Sequence, residues 1–183
     1  SLPNLRKPSG RLHKAILVVA FYTGMRRSEI SNLKFGDIRQ ENGIEYFQVK
    51  GKGEKKRMVP LSPIVKQAIC EYLEASGREY HDENPLFVKA QSRSDMKDEL
   101  PLHTETISWV IKHYAAKAGF KGRISPHCCR ATCITNLLEN QMVKARAVSQ
   151  LVGHSSISTT EGYRSKRMDF MNAVTVANQV NYD

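Results

Sequence analysis

Four short stretches of this chain carry residue types that are rarely grouped without a purpose. The first is Thr23-Gly24-Met25-Arg26-Arg27-Ser28-Glu29-Ile30, and the second is Gly51-Lys52-Gly53. The third is Ser125-Pro126-His127-Cys128-Cys129-Arg130, and the fourth runs from Leu151 through His154 to Tyr163. Together they supply what attack of a hydroxyl on a phosphodiester requires without a metal. Two arginines can neutralise the non-bridging oxygens, since the guanidinium is bidentate and always charged. A lysine or histidine can move protons, and a tyrosine can act as nucleophile. A tyrosine hydroxyl with a pKa near ~10 is a poor nucleophile by itself at neutral pH. It needs cations and hydrogen-bond donors around the phosphate.

Local patterning says how these residues are held. Leu12, Ile16, Val19, Ala20 and Thr23 fall at helical spacing, which predicts a core-facing helix ending at Gly24. A short second helix should carry Arg26, Glu29, Ile30 and Leu33, with Arg26 at its mouth and Glu29 one turn on to hold the Arg26 side chain. Asn42-Gly43 signals a turn, and Glu45–Lys50 and Lys56–Leu61 read as strands of a small antiparallel sheet. Lys50, Lys52, Lys55, Lys56 and Arg57 crowd the tip between those strands, where a Gly-rich hairpin can approach a polyanion's backbone. Helices resume with Ile64, Val65, Ala68, Ile69, Tyr72 and Leu73, and again with Ile107, Val110, Ile111, Tyr114 and Ala118 before Gly119. Lys89–Leu100 reads as an exposed polar loop. Ser125-Pro126 starts another helix and places His127 in its first turn, with Arg130 on the same face. Leu137, Leu138, Val148 and Leu151 continue the core up to Gly153, and Phe170, Val174, Ala177 and Val180 mark a last helical segment. The expected class is therefore α+β, mainly α-helical with a small antiparallel β-sheet.

Composition narrows the partner. The 183 residues suit one domain, and 40% hydrophobic with 25% charged residues is an ordinary globular mixture. Lys and Arg number 28 against 18 Asp and Glu, a net charge of +10, and the pI is about 9.6. That surplus favours a polyanion, nucleic acid above all. The longest apolar run, Ile16–Phe21, is too short to span a bilayer, and Ser1–Gly10 has no apolar h-region of a signal peptide. The four cysteines, Cys70, Cys128, Cys129 and Cys133, read as reduced buried thiols rather than a disulfide framework. A zinc site built from His127 and the three nearby cysteines lacks a second ligand pair at suitable spacing, so no metal is expected.

The four stretches in this order resemble the tyrosine recombinase, or phage integrase, family. The likeness runs from about Thr23 to Tyr163 in the order Arg, Lys, His-x-x-Arg, His, Tyr. Gly-Lys-Gly-Glu-Lys-Lys-Arg-Met-Val-Pro-Leu is similar to the family's lysine hairpin, and Leu-Val-Gly-His-Ser-Ser-Ile-Ser-Thr-Thr-x-x-Tyr is close to its consensus. The resemblance implies the fold of that family's catalytic domain. It implies that Arg26 and Arg130 clamp the scissile phosphate, Glu29 buttresses Arg26, and Lys52 is the general acid for the leaving 5′-oxygen. His127 would assist proton transfer at the tyrosine, His154 would hydrogen-bond the phosphate, and Tyr163 would form a 3′-phosphotyrosyl link. Arg27, Lys50, Lys55, Lys56 and Arg57 are the expected DNA-binding residues, and no cofactor is implied. Departures from the family pattern are Arg27, Cys129 at a commonly aliphatic position, Ala131 and Ser165 where His is frequent, and Gly162 before the tyrosine.

The implied activity is cutting and rejoining of double-stranded DNA at specific sites, for integration or excision of a mobile element. The competing classes are a catalytically degenerate DNA-binding relative that regulates without cutting, and a relaxing topoisomerase of type IB. The resemblance further implies that residues 1–183 are a catalytic domain separated from an N-terminal core-binding domain. It implies a homo-tetramer on DNA, with a monomer expected for the isolated domain. Residues 164–183 would then form a tail or helix that docks on a neighbouring subunit, or else packs on its own domain. The expected location is the cytoplasm of a bacterium, at the nucleoid.

Overall fold

The computed structural model describes residues 3–51, 56–79, 81–89, 100–122, 124–139, 143–154 and 156–163. The chain divides into two compact units, Ser1–Cys133 and Ile134–Asp183. Mainly helical elements with one small antiparallel sheet make up the described residues, as the patterning predicts.

In the first unit, helix α1 (Pro8–Thr23) buries Leu12, Ala15, Ile16, Val19 and Ala20, the stripe expected from their spacing. It packs on α3 (Pro63–Ser76) and α4 (Thr104–Lys117). Gly24 ends α1 in the left-handed region, at φ 60° and ψ 20°, and the five-residue helix α2 (Arg27–Ser31) follows at once. Leu33 falls beyond α2 but is buried at 2% exposure, so it serves the core from a loop. Strands β1 (Ile38–Glu41), β2 (Ile44–Lys50) and β3 (Lys56–Pro60) pair antiparallel in that order. Asn42 and Gly43, at φ 49° and 78°, form the two-residue turn between β1 and β2. Phe47 pairs with Val59 and Val49 with Arg57, so these four side chains share the face turned to the core.

Helix α5 (Pro126–Glu139) contains the boundary between the two units. The second unit has its own small core, Ile134 and Leu138 of α5 against Val148 and Val152 of α6 (Ala145–Val152). Leu137, Val143, Ala145 and Tyr163 pack around it. Gly153 closes α6 with φ 69°, and residues 157–163 are helical. Most of the Lys89–Leu100 loop and the whole Phe170–Val180 segment lie outside the described residues. The cysteines are free but not uniformly buried: Cys129 and Cys133 are buried, Cys128 is half-buried and Cys70 is exposed. Burial, with Cys128 beside it, pushes the Cys129 thiol up to about 12, so that sulfur stays protonated and packs as a small apolar group.

Gly24 gives a first prediction. Its left-handed conformation penalises any Cβ, and its carbonyl receives a bond from Arg130 at 2.5 Å, so the turn has little freedom to relax. Gly24→Ala is expected to cost about 1–2 kcal/mol of stability, read as a lower urea midpoint at unchanged slope.

Candidate active site

The tight turn after α1 determines where Arg26 stands. Thr23 Oγ1 donates back to the Val19 carbonyl at 2.6 Å, and Met25 is buried at 2% exposure, which fixes the chain on both sides of Gly24. Arg26 is then the N-cap of α2, its backbone extended and its carbonyl accepting from Ile30 N–H at 3.0 Å. Glu29, one turn on, takes the Arg26 backbone N–H on Oε2 at 2.7 Å and the Arg26 Nη1 on Oε1 at 3.0 Å. The Arg26–Glu29 contact expected from the spacing is therefore present. One carboxylate both caps the helix and orients the guanidinium, whose side chain remains 44% exposed.

Arg130 arrives from another element. Pro126 opens α5, where a missing N–H is harmless, and Ser125 O accepts from Cys128 N–H at 2.9 Å. Arg130 lies one turn along, is 5% exposed, and donates from Nη1 to the Gly24 carbonyl. That bond joins residues 106 positions apart and seats the second arginine beside the first. Met25, Arg26, Arg27, Ser125, Pro126, His127 and Arg130 line one cleft of about 300 Å³. Among the described residues, three arginines and a histidine line it and no carboxylate does. A partly desolvated wall of this kind attracts an anion more strongly than the same charges in open water. Arg27 is held by Glu105 Oε1 at 2.8 Å and Ser108 Oγ at 3.0 Å, both on α4. Nothing in the sequence marks those partners, 78 and 81 positions away.

The second unit holds the other pair. His154 follows the C-cap Gly153, and its Nδ1 lies 2.8 Å from Thr160 Oγ1. Thr160 is fully buried, so it is a firm anchor for the ring. The rings of His154 and Tyr163 stack at 6.2 Å between centroids with 9° between planes. Tyr163 is half-buried, with its side chain packed against the unit's apolar core.

Of the hairpin residues, Lys50 and Lys56 pair across β2 and β3 and are exposed, while Lys52 and Lys55 lie outside the described residues. Arg57, expected among the surface cations, is placed differently. Its side chain is 10% exposed, and both terminal nitrogens are bound to Glu29, Nη1 to Oε1 and Nη2 to Oε2, each at 2.8 Å. The reason is strand alternation: Arg57 shares the inward face with Val59, whereas Lys56 and Met58 point outward. Burial raises the Glu29 carboxyl, but the hydrogen bonds from Arg57 and from the Arg26 backbone outweigh it and hold the group below its ordinary range. Glu29 is thus ionised at neutral pH and able to orient two arginines.

Comparison with known proteins identifies the family and the fold. The model of the Phage integrase family matches residues 3–169. The tyrosine recombinase XerD of Lacticaseibacillus casei is 34% identical over 164 residues, covering 88% of this chain and 53% of that protein. The crystal structure of XerA recombinase superposes with a TM-score of 0.71 at 27% identity, over 95% of this chain and 59% of that one. XerH site-specific recombinase, solved bound to its difH substrate before cleavage, has the same fold at a TM-score of 0.71 and 23% identity, over 91% of this chain and 46% of that one. The chain spans about half the length of the curated relatives it matches. With its arginine cleft, its His154–Tyr163 pair and a family match over most of its length, the chain belongs to the phage integrase family of tyrosine recombinases.

Proposed function

We propose that this chain is the catalytic domain of a site-specific recombinase that cuts and rejoins double-stranded DNA through Tyr163. The observation that carries the reading is the cleft in which Arg26 and Arg130 stand with His127, without a carboxylate among the described residues that line it. A phosphodiester seated there has its non-bridging oxygens neutralised by two forks held in place beforehand, Arg26 by Glu29 and Arg130 by the Gly24 carbonyl. Tyr163 attacks the phosphorus, forming its phenolic O–P bond as the bond to the 5′-oxygen breaks. His127 takes up the phenolic proton, Lys52 supplies one to the departing 5′-oxygen, and His154 donates a hydrogen bond to the phosphate. The resulting 3′-phosphotyrosyl ester keeps the energy of the phosphodiester, so a 5′-hydroxyl from another strand can reverse the step without ATP.

DNA as partner is supported by the net charge of +10 and by XerH, which was solved on its DNA substrate. Lys50, Lys55 and Lys56 at the hairpin, with Arg27 at the cleft, are the further phosphate contacts we assign. Assembly as a homo-tetramer on DNA, docking of residues 164–183 on a neighbour and action in the bacterial cytoplasm at the nucleoid belong to the same proposal. Among the described residues no helix is long and apolar enough to cross a membrane. Integration or excision of a mobile element is the biological use included in this proposal.

The test is a nicked half-site that lets the short 5′-hydroxyl fragment diffuse away and traps the cut state. Incubated with the protein, it is expected to yield a protein–DNA adduct that survives SDS and is destroyed by protease. A folded protein that binds the half-site and forms no adduct would leave the non-cutting regulator as the correct reading.

A further inference from the structure

Behind the cleft, Glu29 is more than a local buttress. Its two oxygens receive four N–H donors, the backbone N–H and Nη1 of Arg26 and both terminal nitrogens of Arg57. The Glu29 side chain is 6% exposed and that of Arg57 10%, so this pairing is screened little by solvent. The Arg57 fork engages both carboxylate oxygens, which fixes the plane of the carboxylate and so the direction in which Oε1 meets Arg26. Arg57 belongs to β3, five positions after Lys52 in the sequence. Removing it would leave Glu29 buried with Arg26 as its remaining charged partner among these contacts, free to draw the Arg26 guanidinium back from the cleft.

We propose that Arg57 is a positioning residue for Arg26, acting through Glu29 and tying strand β3 to the arginine cleft. The inference rests on the reading of Arg26 as a phosphate-binding residue given above. It makes the pair of arginines flanking Glu29 unequal in role: Arg26 faces the cleft with a side chain 44% exposed, whereas Arg57 is turned away from solvent and aims its partner. A fork is needed for this rather than a charge alone, because a lysine cannot hold both carboxylate oxygens in one plane.

The experiment measures cleavage of the nicked half-site at saturating DNA, and DNA affinity separately, for Arg57→Met, Arg57→Lys, Glu29→Gln, the Arg57→Met/Glu29→Gln double variant and Arg26→Ala. Arg57→Met is expected to cut about 10- to 100-fold more slowly, the effect of a reacting group misplaced by a fraction of an ångström to an ångström. Its affinity should stay within about threefold of the native value, since no phosphate contact is lost. Arg57→Lys should fall between Arg57→Met and native, and the double variant should be no slower than the slower single one. Native-speed cutting by either Arg57 variant, a loss confined to affinity, or additive losses in the double variant would overturn the proposal. Should circular dichroism show Arg57→Met unfolded, Arg57→Lys carries the test, with slowed cutting at native affinity expected. Arg26→Ala separates the two levels: native-speed cutting there removes the underlying reading, whereas a dead Arg26→Ala beside a native-speed Arg57→Met removes only this inference.

Discussion

Tyr163→Phe is expected to bind the half-site with native affinity and to form no SDS-resistant adduct. The substitution keeps the ring, which is what the structure uses: it stacks on His154 at 6.2 Å and packs on the core of Ile134, Leu138, Val148 and Val152. Loss of the hydroxyl alone should therefore change stability by under about 1 kcal/mol. The chemical loss is of another order, because removing a nucleophile takes away the covalent step itself and not just a fraction of its stabilisation. Adduct formation should drop by at least about 10⁴-fold, below detection. Peptide mapping of the native adduct checks the same point from the other side, since the DNA remnant should sit on the peptide holding Tyr163. Ser156, Ser158 and Thr160 share that stretch, so mapping must reach single-residue resolution. An adduct that persists in Tyr163→Phe, or a remnant on one of those hydroxyls, would move the nucleophile elsewhere.

How far the sequence alone leads to this site depends on the range of the interactions involved. Local signals were sufficient for the frame. Gly24 was readable as a helix stop and is one, at φ 60°, and Asn42-Gly43 was readable as a turn and is one. The i,i+3 pairing of Arg26 with Glu29 was likewise visible, because helical spacing alone brings the two together. Strand β1 was not visible. Ile-Arg-Gln-Glu offers one apolar residue and lies mostly exposed at the sheet edge, so no two-residue alternation announces it.

Arg57 reads as a surface cation from its neighbours, but strand alternation turns it inward. Basic neighbours made it look like part of a solvated patch, yet Val59 two residues on marks the inward face, and alternation puts Arg57 on that face too. The arginine pairing itself was beyond local reasoning. Arg130 meets Gly24 across 106 positions and Arg27 meets Glu105 across 78, contacts that only the packed helices create. The order of motifs carries part of what that geometry supplies, which is why Arg26, His127 and Arg130 can be grouped from the sequence.

Arg130→Lys is expected to fold and bind DNA but to cut about 10²- to 10³-fold more slowly, a loss of about 3–4 kcal/mol in transition-state stabilisation. Two features of Arg130 produce so large an effect from retaining the charge and losing the shape. First, the side chain is 5% exposed, so its interaction with a phosphate is poorly screened and its geometry matters. Second, one of its nitrogens is bound to the Gly24 carbonyl, so the backbone of the turn helps to fix the direction of the planar guanidinium. A lysine can satisfy the carbonyl or reach for the phosphate, but its single ammonium cannot do both in the planar arrangement of a guanidinium. If it turns to the phosphate, the Gly24 carbonyl loses a charged donor, and stability should fall by about 1–3 kcal/mol. If it stays on the carbonyl, the phosphate loses its second cation, and stability should remain near native while cleavage collapses. Single-turnover cleavage and urea unfolding on the same variant distinguish these routes. The salt dependence of DNA binding should become shallower by no more than about one phosphate contact in either case. Cleavage within about threefold of native by a folded Arg130→Lys would show that the cleft needs only a positive charge at this position, and the two-fork clamp would have to be abandoned.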